Sequence, residues 1–172
     1  MEIKQEITLT QQHITSKKME INALKVRKGI ESNKKLTDLH AQFEKLLSEL
    51  RKRDLPDKVV QSINTNIDLI DPVMEPEKEY IKQLRKTQTD ILSLIEKELK
   101  LVPKNHYRNV WLALGIAAFG VPLGVAFGAS LGNMAFIGIG LPIGIPIGLA
   151  IGTGLDKKAA DEGRQLDVEI NF

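Results

Sequence analysis

From position 109 to position 155 the chain carries 47 consecutive residues without a charged side chain. A hydrocarbon core of ~30 Å takes roughly 20 helical residues to cross, so the stretch is long enough for two crossings. It divides at Gly132-Asn133-Met134 into two spans, residues 111–131 and 135–155, each of 21 residues. Asn beside Gly suits a tight turn, and so short a link makes the spans antiparallel. Both ends then lie on one side of the bilayer. Lys97, Lys100, Lys104 and Arg108 precede the first span, Lys157, Lys158 and Arg164 follow the second, and the turn is uncharged. This bias predicts that both termini are cytoplasmic. Tyr107 and Trp111 stand where an interfacial aromatic anchor belongs. The first six residues lack the apolar core of a cleaved signal, which leaves insertion to the late hydrophobic segment.

Glycine divides this stretch at regular intervals. Gly120, Gly124, Gly128 and Gly132 are four apart, and Gly140, Gly144, Gly148 and Gly152 repeat the spacing. Glycine is a poor helix former, so eight of them on helical ridges need a return. Within lipid the return is close approach of backbones through dispersion and Cα–H contacts. The nearest partner for each ridge is the other span, and small-residue surface left over predicts contact between copies. Pro122, Pro142 and Pro146 lie inside the spans. Each is expected to free the carbonyl four residues back and to kink the helix or act as a hinge. A soluble alternative, in which a helical jacket hides the hairpin, fails on size. About 100 residues with few aromatics cannot enclose two apolar helices as well as a core of their own.

The rest of the chain is a different polymer. Residues 1–108 hold 21 basic and 17 acidic side chains, and the end, residues 156–172, holds three basic and five acidic. Basic and acidic residues alternate without forming a patch, which gives no support to nucleic-acid binding. Ile7, Ile14 and Ile21 fall seven apart, with Ile3 and Leu24 beside them, and predict a helix over residues 2–33. Leu36, Leu39, Phe43, Leu46, Leu47 and Leu50 mark a second helix ending near Arg53. After Asp54-Leu55-Pro56-Asp57, a third carries Val59, Val60, Ile63, Ile67 and Ile70. Asp71-Pro72 and Glu75-Pro76 bracket a loop. A fourth helix, residues 76–101, buries Tyr80, Ile81, Leu84, Ile91, Leu94, Ile95 and Leu99. Nothing in residues 1–108 reads as strand.

The expected fold is all-α, a cytoplasmic helical bundle or coiled coil (residues 1–103), a transmembrane hairpin (residues 104–155) and a short polar cytoplasmic tail (residues 156–172). Gln11, Lys17, Lys18 and Lys28 thin the seam of the first helix, which favours packing within the chain over a coil between chains. Lys34-Lys35 and Arg51-Lys52-Arg53 read as solvated faces, with anionic headgroups as the alternative contact.

Chemistry is sparse. The chain has no cysteine, which excludes disulfides and thiolate metal sites. His13, His40 and His106 are far apart without a ligand at helical spacing, and the acidic pairs near residues 68–79 suit helix caps. The glycines fit no phosphate loop, since no Gly-Lys-Ser/Thr follows. No nucleophile has a base at hand, so the expectation is a non-enzyme with no catalytic, metal or cofactor residues.

The two glycine runs resemble the glycine-zipper pattern of membrane proteins that pack into homo-oligomers, some of which form channels or pores. The layout, a charged helical region before an uncharged two-span hairpin, is similar to the small two-helix membrane effectors of bacterial defence systems. By motif the resemblance covers about a quarter of the chain. It implies a homo-oligomer in a bacterial inner membrane, with a pore as a possible product. The alternative is a membrane-anchored scaffold whose N-terminal helices recruit a soluble partner. The pattern departs from an ion-selective channel, because Ser130, Asn133 and Thr153 are the polar side chains of the spans and no charged filter is present.

Overall fold

A computed structural model describes residues 19–27, 29–72 and 75–170. The chain is mostly helical, and two long apolar helices lie towards its C-terminal end.

Three helices share one apolar core. Helix α1, Lys34–Arg51, starts where the side chain of Asn33 accepts the amide of Leu36 at 3.3 Å. Its three-and-four spacing turns Leu36, Phe43, Leu46, Leu47 and Leu50 fully inward. Pro56 and Pro76, which fix φ and lack an N–H, stand immediately before α2, Asp57–Asp68, and α3, Glu77–Leu99. Glu77 and Glu79 sit in the first turn of α3, where a negative charge suits the helix dipole. Helix α3 stops at Lys100, whose backbone turns left-handed (φ 58°) and donates to the carbonyls of Ile95 and Glu96.

Residues 19–27 correct the expectation of a first helix over residues 2–33. They form no helix, although Ile21 and Leu24 are buried as that pattern required. Side chains of α1 and α2 take the backbone groups that a helix would have paired. The amide of Asn22 donates to Asn64 Oδ1 (2.8 Å), that of Leu24 donates to Glu44 Oε1 (2.7 Å), and Arg51 donates to the carbonyls of Ile21 and Asn22. With those groups satisfied, helical hydrogen bonding offers nothing further. The portion of that expected helix in residues 2–18 lies outside the described residues.

Two strands also depart from the all-α expectation. Strand β1, Val102–Lys104, leads into the hairpin, and β2, Gln165–Glu169, follows it. They pair in parallel, Val102 with Gln165 and Lys104 with Glu169, with an irregularity between the two. Parallel strands need a long crossover, and here the crossover is the whole hairpin. Residues 156–172 are therefore not simply a polar tail. The last hairpin helix runs on to Asp161, and Leu166, Val168 and Ile170 then alternate into the core that α1, α2 and α3 share. Full burial of one such side chain stabilises by about 1.5–3 kcal/mol, so β2 fastens the far end of the hairpin to the helical body.

Candidate membrane hairpin

The first limb comprises α4, His106–Gly115, a π-turn over Ile116–Gly120, and α5, Val121–Ser130. After the turn at residues 131–133, a 3-10 segment, Met134–Ile139, leads into α6, Leu141–Asp161. Among the described residues two helical stretches are long and apolar enough to cross a membrane, His106–Ser130 with 25 residues and Ala135–Asp161 with 27. Only 17% and 22% of their apolar windows are buried, unlike the core helix of a soluble protein.

The glycine ridges face each other inside this hairpin. A methyl group built on Gly144 would stand 2.5 Å from the carbonyl oxygen of Gly115 and 2.7 Å from the amide nitrogen of Gly120. One on Gly140 would meet the amide nitrogen of Gly124 at 2.5 Å, and one on Gly152 the Cα of Arg108 at 2.5 Å. Built on Gly124 and Gly148, it would collide with the backbones of Ile137 and of Trp111-Leu112. Gly120 is less tight, at 3.4 Å from the carbonyl oxygen of Gly140. Gly128 is buried on the same limb. Gly132 has another role: with φ 65° and open space around it, it makes the turn, and the side chain of Asn133 accepts the amide of Ala135 at 2.9 Å.

Gly115 belongs to the ridge although it is five residues before Gly120. Five residues of α-helix would rotate it off the contact face. The π-turn holds one residue more per turn, and the amide of Val121 donates to the carbonyl of Ile116 five residues back, which returns Gly115 to register. Pro122 follows at once and supplies the reason, because its ring excludes the ordinary bond to Ala118. The three prolines thus differ. Pro122 follows a π-turn and sits in the first turn of α5, Pro142 occupies the first turn of α6 where no donor is needed, and of the three only Pro146 lies in a helix interior.

At the hairpin base, the N-terminus of α4 is capped from the other limb. Asp156, 7% exposed, accepts the amides of Tyr107 (3.0 Å) and Arg108 (2.9 Å) through its two carboxylate oxygens. Asn105 occupies the cap position with φ 59° but sends its amide group to Glu169 at 2.9 Å. An anionic acceptor at a helix N-terminus satisfies otherwise unpaired donors and opposes the helix dipole. Nothing in the sequence pattern singles out Asp156 except that it is the first charge after 47 neutral residues.

Ion pairs surround this base. Arg108 pairs with Glu169 at 3.6 Å, and Lys104 pairs with Asp167. Their hydrogen bond holds the Asp167 carboxyl below the usual carboxylate range and the Lys104 ammonium above the usual lysine range. Tyr107 and Trp111 are half-buried in the first two turns of α4. Their carbonyls lie against Gly152 and Gly148.

Among the described residues no group of three His, Asp or Glu side chains could hold a metal ion. No protein-family model, curated protein or solved structure matches the chain.

Proposed function

We propose that the chain is a non-enzymatic integral membrane protein. Its hairpin crosses a bilayer twice and holds the helical body at one surface, where that body engages a soluble protein partner. The observation that carries this reading is the direction of the two kinds of surface. Backbone ridges face inward, while Val110, Leu114, Phe119, Val125, Phe127 and Ile139 are exposed. A continuous apolar exterior of this length is unfavourable in water and suits lipid tails. The positive charges at the base and the uncharged turn support a cytoplasmic base, with a bacterial inner membrane as the setting.

A second reading, self-association into a pore, draws on two features. Gly138 and Gly154 have nothing within 4 Å, so small positions remain outside the hairpin, and Pro146 interrupts α6. Against it, the four-spaced ridges are already occupied within one chain. The mass of the detergent-solubilised full chain, with ion leakage from liposomes that carry it, separates the two. One copy per micelle and intact gradients at every protein density are expected. A defined oligomer that leaks would favour the pore.

A further inference from the structure

Helices α1 and α3 leave an open cleft of about 530 Å³, lined by Lys34, Lys35, Asp38, Leu39, Gln42 and Arg85. Three cations and one carboxylate face it, and among the described residues no ion pair is formed by Lys34, Lys35 or Arg85. Arg85 is the informative member. Its Nε is buried without a hydrogen-bond partner. One turn further along α3, Gln88 is fully buried and accepts from Gln42 Nε2 at 3.3 Å through its oxygen, while its own Nε2 has no partner. Of these two donors only that of Arg85 belongs to the cleft lining, and a buried donor on a permanent cation is unfavourable unless an acceptor reaches it.

We propose that this cleft binds a soluble small molecule that carries a phosphate group. A guanidinium offers a planar fork to a tetrahedral oxyanion, and two lysines add point charges from the facing helix. Among the described residues the lining has no aromatic side chain and one apolar residue, Leu39, so recognition rests on the anion and not on a ring. Arg85 lies 14 residues before Leu99, which is ~21 Å along α3 from the end nearest the hairpin and favours a dissolved anion over a lipid headgroup. Nothing in this inference depends on how the hairpin sits in a bilayer.

The test is calorimetric titration of the full chain in neutral-detergent micelles with inorganic phosphate and pyrophosphate, chloride being used to hold ionic strength constant. Saturable one-to-one binding is expected. Arg85→Gln is expected to weaken it roughly tenfold or more. Arg85→Lys should fall between, the double variant Lys34→Gln with Lys35→Gln should weaken it as well, and Lys82→Gln, outside the cleft, should not. If Arg85→Gln unfolds, the two lysine substitutions on exposed positions of α1 carry the same decision. Absence of saturable heat up to roughly 10 mM, or binding indifferent to the cleft variants, overturns the proposal. Repeating the titration in nanodiscs of phosphatidylcholine alone and with phosphatidylglycerol distinguishes the source of the anion. Equal affinity supports a dissolved ligand, and loss of phosphate binding in the anionic discs assigns the cleft to a headgroup and overturns it.

Discussion

Substituting Gly144 by alanine adds one methyl group where the backbones of the two limbs are in close contact. That carbon would lie 2.5 Å from the carbonyl oxygen of Gly115, and ordinary contact begins at 3.4 Å. The limbs must therefore part locally by roughly 0.9 Å. A gap of that size forfeits about a quarter to a half of the dispersion well of each atom pair, worth ~0.1–0.2 kcal/mol apiece. Over roughly thirty pairs near the contact the loss is about 1–2 kcal/mol, within the ~1–3 kcal/mol typical of overpacking. Gly154 supplies the control, since it is on the same helix with nothing within 4 Å. Alanine improves helix propensity at both sites by up to ~1 kcal/mol, so the difference between the two variants isolates the clash. Reversible unfolding of the full chain in mixed micelles should show Gly144→Ala less stable than Gly154→Ala by about 1–3 kcal/mol. The difference should not change with the ratio of protein to detergent, because the contact lies within one chain. Equal stabilities would refute the inward ridge, and a difference that grows with protein density would move the contact to the interface between copies.

Two further outcomes follow from the cap and from the half-buried His40. Asp156→Ala leaves the amides of Tyr107 and Arg108 without their acceptor and should destabilise the hairpin by about 1–2 kcal/mol in the same assay, with Asp156→Asn intermediate. Burial lowers the pKa of His40 from its ordinary 6.5, with Glu44 in partial opposition. The unfolded chain then binds the proton more readily, so this contribution is complete above pH 6.5 and is lost as the pH falls through that value. Melting temperatures followed as pH falls from 7 to about 5 should therefore decline more steeply for the native chain than for His40→Gln.

The hairpin was legible because its signal is long. Forty-seven neutral residues and two four-spaced glycine runs survive any local ambiguity. The four-residue period that revealed Gly120 and Gly124 also concealed Gly115, since only the π-turn before Pro122 brings a five-residue step onto the same face. Strand β2 was missed because its alternation, Leu166, Val168 and Ile170, has only three members and sits among charges that read as a solvated end. Residues 19–27 misled in the opposite sense. Ile21 and Leu24 fit a helical stripe, but Asn64, Glu44 and Arg51, remote in sequence, hold the backbone in another shape. The cap at Asp156 depends on a partner 48 residues away, which no local pattern encodes.

Side-specific labelling tests the membrane hairpin most directly. The chain contains no cysteine, so Lys97→Cys, Leu131→Cys and Lys158→Cys each introduce one reactive thiol. In sealed vesicles of both orientations, a membrane-impermeant maleimide should reach positions 97 and 158 from one face and position 131 from the opposite face. Labelling of all three from the same face, or recovery of the folded full-length chain without detergent, would contradict two crossings.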